Sequence, residues 1–241
     1  MRIKAIIISL KGVRLTKMEK KLLSNERPWG VILFKRNLKS LNQIKNLTNE
    51  IKVLTKNKNF PIIIDEEGES VSRLKNIINH KISSEFFGNL IFKNKNFGLK
   101  IYEHYISSLS NILRSVGINI NTIPVLDVLR NETNKIIGNR SFSKDPKIVN
   151  LLGKFTIKNL HKNKIAGIIK HIPGHGAAIS DSHIKTPTVA LGFKKLNKID
   201  FYPFKSSKAK FAMTAHILYS KIDKKHVATL SKKIIKKIIR K

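Results

Sequence analysis

Apolar residues fall into short runs along the chain, and longer segments of mixed polarity separate these runs. Six runs rich in isoleucine, valine and leucine occur in the order IKAIIISL (3–10), GVILFKRN (30–37), FPIIIDEEG (60–68), INTIPVLDV (120–128), AGIIKHIPG (166–174) and FAMTAHIL (211–218). Because the apolar positions within each run are largely contiguous, the runs predict strands that are buried on both faces, as in a parallel sheet.

The segments between the runs carry apolar residues at the spacing of an amphipathic helix. The clearest examples are SLNQIKNLTNEIKVLTKN (40–57), FGLKIYEHYISSLSNILRSVG (97–117) and DPKIVNLLGKFTIKNLHKN (145–163). Strands that alternate with helices in this way predict repeated βα units, and hence an α/β fold.

Polar residues stand at the C-terminal ends of five of the six runs, namely Arg36, Asn37, Asp65, Asp127, Lys170, His171 and His216. In (β/α)8 barrels the active site lies at this end of the strands, whereas a doubly wound sheet gathers such groups at one switch point. We therefore predict a (β/α)8 barrel of the TIM type, formed by residues 1–241 as one domain. A closed barrel has eight strands, so the runs predict an incomplete barrel of about six βα units, truncated at the C-terminus.

The composition excludes several kinds of chemistry. The chain has no cysteine, which excludes disulfides, thiolate metal sites and thiol nucleophiles. The N-terminal apolar run Ala5–Leu10 is shorter than the core of a signal peptide, and no run approaches the roughly 20 apolar residues of a membrane span. We expect a cytoplasmic protein without a membrane span and without a cofactor.

The formal net charge of +33 raises a competing interpretation, a polyanion-binding protein. Lysines are spread along nearly every predicted helix, however, and arginine, the better ligand for phosphate, is the scarcer cation. We therefore expect no specific nucleic-acid partner. The terminal segment SKKIIKKIIRK (231–241) has the pattern of a basic amphipathic helix, which could lie on a membrane surface or form one outer helix of the fold.

Three histidines lie in the stretch KHIPGHGAAISDSH (170–183). His171 and His175 are four residues apart, the spacing that places two zinc ligands on one face of a helix. Pro173 and Gly174 lie between them and disfavour a helix, so we expect no metal site and a structural role for His175.

Asp181 and His183 flank a serine in the same stretch. A carboxylate at this distance can hold one imidazole nitrogen and leave the other for proton transfer, as a general acid/base requires. The alternative is an Asx-type turn with an exposed histidine.

The segment AGIIKHIPGHGAAISDSHIKTP (166–187) resembles the signature of family-3 glycoside hydrolases, in particular the bacterial β-N-acetylhexosaminidases of peptidoglycan recycling. Further resemblance comes from GVILFKRN (30–37), IIIDEEGESVSRL (62–74), TIPVLDV (122–128), GNRSFSKDP (138–146) and MTAHILYSKID (213–223). These motifs occur in the family's order and span almost the whole chain.

The resemblance implies a role for individual residues. The substrate-binding positions of the family match Asp65, Arg73, Arg140, Lys170 and His171, and the general acid/base matches His183 with Asp181 as its partner. Charged donors and acceptors at strand ends suit a neutral ligand rich in hydroxyl groups. The alternative for Asp65 and Arg73 is an ion pair at the rim of the barrel. Because both side chains are expected to project from strand ends or loops into a cleft, replacing Lys170 or Arg140 by alanine should weaken binding of N-acetylglucosamine and leave the fold intact.

The sequence departs from the family at two places. Glu69 stands where the family usually has a second glycine, which puts the tight turn after Asp65 in doubt. The family's nucleophilic aspartate follows a seventh barrel strand that the chain does not reach, and neither Asp200 nor Asp223 is a convincing substitute.

The implied function is removal of terminal β-linked N-acetylglucosamine from muropeptide-type substrates by a retaining mechanism. A C-terminal fragment that complements the chain is a further expected partner. The alternative is a non-catalytic remnant that binds sugar.

Overall fold

The computed structural model describes residues 2–79, 81–131, 133, 137–179, 186–205 and 207–240. In this part of the chain, six strands form one parallel sheet in the order β1-β2-β3-β4-β5-β7. They are β1 (Lys4–Ser9), β2 (Pro28–Leu33), β3 (Ile62–Ile64), β4 (Ile120–Asn121), β5 (Ala166–Ile172) and β7 (Phe211–Thr214). Each overlaps one of the six apolar runs, and only β2 begins before its run, by two residues. This agreement confirms the predicted α/β fold with an incomplete barrel.

The helices connect successive strands and cover the outer face of the sheet. They are α1 (Lys17–Asn25), α2 (Leu41–Leu54), α3 (Ser84–Lys93), α4 (Lys95–Ser115), α5 (Pro146–Lys162) and α6 (Phe193–Lys198). Their starts follow from the sequence: Thr16 and Glu19 form a capping box at α1, Ser40 caps α2, and Asp145 caps α5 with Pro146 at its first position.

The hydrophobic core follows from the alternation of side chains along the strands. Ile62 and Ile64 of β3 face the main core with the helices, where the α2 residues Ile44 and Ile51 are fully buried. Ile63 lies on the opposite face, where it packs in a smaller cluster inside the barrel. The buried members of that cluster are Ile63, Ile120 and Ile168.

The barrel is open in the described part of the chain, with β1 and β7 at the two ends of the sheet. Apolar side chains are exposed at both edges: Ile3, Ile6 and Ile7 are 63%, 51% and 45% exposed, and Met213 is 37% exposed. A hollow of about 1530 Å³ lies at the amino ends of the strands, lined in part by Trp29. An eight-stranded barrel would close the opening between β7 and β1 with two more βα units.

A smaller pair of parallel strands, β6 (Thr188–Val189) and β8 (Leu218–Tyr219), packs on a second cluster near the C-terminal end of the chain. The terminal basic segment begins as α7 (Lys232–Ile234) and continues in a π-helical turn at Ile235–Ile239. Ile234 is fully buried in this cluster, so the segment forms an outer helix of the fold. Of the helices in the described ranges, none has the length and apolar character needed to cross a membrane.

A tight contact between α3 and the chain after β4 gives a first stability prediction. The methyl group of Gly88→Ala would overlap the carbonyl oxygen of Phe142, so the backbone must shift. We expect a loss of about 1–3 kcal/mol in the free energy of unfolding, measured by urea denaturation. Gly12→Ala is the matched control, because an alanine there has open space among the described residues. Equal stability of the two variants would contradict this close packing.

Candidate active site

The candidate site lies at the carboxyl ends of β3, β4 and β5. Asp65 directly follows β3, and Asp127 lies six residues after β4. Lys170 and His171 are the last residues of β5 before Ile172. An isolated parallel bridge between Val125 and Lys170 carries the pairing of β4 with β5 up to this level. The parallel register therefore brings residues far apart in sequence to one end of the barrel.

Lys170 is the centre of a buried charge cluster. Its Nζ atom lies 2.6 Å from Oδ1 of Asp65 and 2.8 Å from Oγ1 of Thr122, and it also pairs with Glu67. Only 2% of Lys170 is exposed. The structure thus corrects one expectation, because Lys170 does not project into an open cleft but lies between two carboxylates.

Asp65 is shared by two cations. Arg73 Nη2 donates to Oδ2 of Asp65 at 2.6 Å, on the side opposite Lys170. Burial would raise the pKa of Asp65, but Lys170, through its charge and hydrogen bond, together with Thr122 and Arg73, lowers this pKa far below its ordinary value. Asp65 is therefore a carboxylate at neutral pH, and it fixes the positions of both cations.

Arg140 is held by the second carboxylate of the cluster, Glu67. The guanidinium group forms two hydrogen bonds with it, from Nε to Oε2 at 2.7 Å and from Nη2 to Oε1 at 2.9 Å. Burial would lower the pKa of Arg140, but the hydrogen bonds and charge of Glu67 outweigh this effect and raise the pKa. Glu67 therefore joins Arg140 to Lys170, and the two cations share one counter-ion.

His171 is oriented by Asp127. Its Nδ1 lies 2.7 Å from Oδ2 of Asp127, while the other carboxylate oxygen accepts from the backbone N–H of His175 at 2.6 Å. Burial would raise the pKa of Asp127, but the charge and hydrogen bond of His171 lower it overall. A carboxylate at Nδ1 leaves Nε2 as the His171 nitrogen available to a ligand.

His175 is buried, and its ring Nδ1 has no hydrogen-bond partner among the described residues. Burial lowers the pKa of His175, so its ring is neutral at neutral pH. In the ranges that the structure describes, no group of three or more histidine, aspartate or glutamate side chains could hold a metal ion.

Sequence reasoning missed two members of the site. Glu67 was not expected to contribute, although two predicted cations, Arg140 and Lys170, required a nearby counter-charge. Asp127 was noted at a strand end but was not connected with His171. Asking which carboxylate satisfies the buried cations would have pointed to Glu67, and asking which acceptor orients His171 would have pointed to Asp127.

Other polar residues at strand ends serve the fold. Asn37 is fully buried, and its Nδ2 donates to the carbonyl groups of Leu10 and Gly12 at 3.1 and 2.9 Å. Arg36 Nε donates to Leu10 at 2.8 Å. These bonds fix the chain where it leaves β1.

The turn after Asp65 tolerates Glu69. Gly68 alone takes the left-handed conformation there, with φ of +145°, while Glu69 donates its backbone N–H to Ile82 and accepts from Asn139 through its side chain. The second glycine of the family's motif is therefore not needed for this turn.

Asp181 and His183 lie outside the described residues, so their acid/base role remains a prediction. The other late acids serve the structure. Asp200 is fully buried and pairs with Arg130. Asp223 accepts from Ser231 Oγ at 2.6 Å, and this bond, with those from nearby backbone N–H groups, lowers the pKa of Asp223 to about 2.

The fold and the site together define a class of protein: a parallel α/β barrel protein with a cluster of charged side chains at the carboxyl ends of its strands. Residues 3–241 match the Glycosyl hydrolase family 3 N terminal domain. The chain therefore belongs to glycosyl hydrolase family 3, as the motifs predict.

Individual relatives agree with this assignment. The chain is 30% identical over 220 residues to a β-hexosaminidase of Stenotrophomonas maltophilia strain K279a, an alignment that covers 90% of this chain and 65% of the relative. It is 31% identical over 221 residues to a β-hexosaminidase of Hydrogenovibrio crunogenus, covering 90% of this chain and 61% of that protein. The chain thus spans less than two thirds of the length of these curated relatives.

Solved structures of relatives share the fold. NagZ from Neisseria gonorrhoeae in complex with N-trifluoroacetyl-D-glucosamine has a TM-score of 0.92 and 30% sequence identity, covering 99% of this chain and 69% of that chain. A glycoside hydrolase family 3 β-N-acetylglucosaminidase from Paenibacillus sp. str. FPU-7 has a TM-score of 0.89 and 29% identity, covering 97% of this chain and 45% of that chain.

Proposed function

We propose that the chain supplies the sugar-binding part of a retaining β-N-acetylhexosaminidase. The enzyme removes terminal β-linked N-acetylglucosamine from muropeptide-type substrates in the cytoplasm, and residues 1–241 form one barrel domain of it. It needs no metal or cofactor and no specific nucleic-acid partner. The observation that carries this proposal is the cluster of Asp65, Glu67, Arg73, Arg140 and Lys170 at the carboxyl ends of the strands.

The charges of this cluster suit a neutral sugar. Each cation already has a carboxylate partner, so the site does not require an anionic ligand to complete it. A neutral ring with several hydroxyl groups can instead accept from cations and donate to carboxylates whose positions are fixed in advance. The relative from Neisseria gonorrhoeae, whose structure contains an N-acylated glucosamine, supports this choice of ligand.

For catalysis we propose that His183, with Asp181 as its partner, protonates the oxygen of the leaving group. A carboxylate from a complementing C-terminal segment attacks the anomeric carbon and forms a glycosyl-enzyme intermediate. His183 then takes a proton from water, which displaces the enzyme carboxylate and releases the sugar. The same segment would add the strands that close the barrel.

The alternative within this proposal is a remnant that binds sugar without catalysing hydrolysis. It keeps the buried cluster but lacks the nucleophile. The enzyme and the remnant would differ in turnover, but both would bind the sugar. Sugar binding is therefore the first test.

We expect Arg73→Gln to weaken binding of N-trifluoroacetyl-D-glucosamine about tenfold or more, because it removes a charged hydrogen-bond donor. Fluorine NMR of the sugar measures the affinity directly. Arg73 is 29% exposed in its side chain, so the fold is expected to tolerate this change. Arg114→Gln, at an exposed position in the last turn of α4, is the matched control. Unchanged affinity in both Arg73→Gln and Arg140→Gln would contradict the assignment of the site.

A further inference from the structure

The chain leaves β5 through a short segment that precedes Asp181 and His183 in sequence. We call residues 173–178 the loop root. Three hydrogen bonds hold its backbone: Tyr219 Oη donates to the carbonyl of Gly174 at 2.5 Å, the N–H of His175 donates to Asp127 at 2.6 Å, and Thr133 Oγ1 donates to the carbonyl of Gly176 at 2.6 Å. The loop root is therefore held from two parts of the chain, the segment after β4 and the strand β8.

Asp200, in the segment after α6, also contacts the loop root. Gly174 has φ of +144°, and a side chain there would overlap the main-chain oxygen of Asp200, so the two backbones are in direct contact. The carboxylate of Asp200 is fully buried and pairs with Arg130, whose Nε lies 3.2 Å from Oδ1.

Arg130 belongs to the same turn that holds Gly176. Its backbone N–H donates to Thr133 Oγ1 at 2.6 Å, and Thr133 Oγ1 is also the donor to Gly176. The pair of Arg130 and Asp200 thus ties the turn on one side of the loop root to the segment after α6 on the other side.

A purely structural contact would not require charges here. Burying a carboxylate is costly, and well-packed apolar side chains of similar volume often serve stability equally well or better. Burial raises the pKa of Asp200 even though Arg130 opposes this effect. A charged pair is directional, however, and it fixes the relative position of two segments more narrowly than apolar packing does.

We propose that the ion pair of Arg130 and Asp200 is a clamp that positions the loop root, the segment that precedes the proposed acid/base pair of Asp181 and His183 in the sequence. Both are positioning residues, since neither contacts the cluster around Lys170 through any bond described above. The consequence for catalysis rests on the proposed function, whereas the clamp itself can be tested without turnover.

The first experiment measures amide hydrogen exchange in the 241-residue chain. The amides of His175 and Ala178 are both hydrogen-bonded, to Asp127 and to the carbonyl of His175. We expect Asp200→Asn and Arg130→Gln to speed exchange at these amides about tenfold or more, with exchange in α2 unchanged. Arg130→Lys should keep part of the protection.

The matched control is Thr48→Val, which removes a buried hydrogen bond to the carbonyl of Val116 far from the loop root. Thr48→Val should leave the exchange rates of the His175 and Ala178 amides unchanged. Equal protection of these amides in Asp200→Asn and in the wild-type chain would overturn the clamp, as would a uniform increase in exchange across the fold.

The second experiment measures kinetics in the chain supplied with a complementing segment. We expect Asp200→Asn to lower kcat about tenfold while KM stays within about twofold, because a misplaced acid/base impairs the transition state more than binding. Arg130→Lys should restore part of kcat. A rise in KM that matches the fall in kcat would contradict the role of Asp200 as a positioning residue. If the wild-type assembly shows no turnover, the catalytic form of the proposed function fails, and the exchange experiment still decides on the clamp.

Discussion

A polypeptide of these 241 residues is expected to hydrolyse an aryl β-N-acetylglucosaminide about 10³-fold to 10⁵-fold more slowly than the same polypeptide supplied with a closing segment. A retaining mechanism needs a nucleophilic carboxylate about 5 Å from the acid/base. Asp65 is held between cations, Asp200 pairs with Arg130, and Asp223 accepts from Ser231. These carboxylates are therefore committed to the fold or to sugar binding.

The experiment compares release of nitrophenol by the chain alone with release after a segment containing the two remaining βα units and their aspartate is joined to it or added separately. The segment with its aspartate changed to asparagine is the control for barrel closure alone. His183→Ala should then abolish most of the restored activity. Normal turnover by the chain alone would show that one of its own acids, foremost Asp223, is the nucleophile.

Lys170→Ala is expected to lower the free energy of unfolding by about 3–5 kcal/mol at neutral pH, because it leaves the buried Glu67 and the partly buried Asp65 without their shared cation. It should also abolish detectable sugar binding. Lys162→Ala, which removes an exposed pair with Glu103, is the control and should cost about 0–1 kcal/mol. A Lys170→Ala variant as stable as the control would contradict the role of the cluster.

The loss of stability in Lys170→Ala is expected to depend on pH in a defined direction. In the wild-type chain the pKa of Asp65 is lowered by Lys170 against the effect of burial, so its contribution to stability is present above the carboxyl pKa of the unfolded chain and is lost as the pH falls. Without Lys170, burial favours the protonated acid. The difference in stability between the two proteins should therefore shrink on acidification, which urea denaturation at several pH values measures.

The sequence predicted the strands and helices well, because apolar runs and helical spacing report directly on burial. It was less informative about strand length. The run INTIPVLDV predicted one long strand, whereas β4 covers only Ile120–Asn121 and pairing resumes at a single bridge through Val125. Pro124 has no backbone N–H to donate to a sheet, which limits regular pairing at that point.

The candidate site was predicted in its cations and in Asp65, whereas the carboxylates of Glu67 and Asp127 were missed. Motif spacing shows where a strand ends, and so which residues reach the same end of the barrel. It does not show that Glu67 serves both Arg140 and Lys170, since that depends on how closely three separate segments approach one another. The burial of Lys170 was missed for the same reason.

The sharing of Glu67 by two cations has an evolutionary consequence. A change at Glu67, Arg140 or Lys170 removes one charge from a buried network that three separate segments form. The first substitution therefore lowers the stability of the fold as well as the affinity for sugar. Selection for a stable fold therefore acts against single substitutions at these three positions for as long as a lineage keeps the barrel. The exposed surface, where lysines are abundant, is in contrast free to change composition.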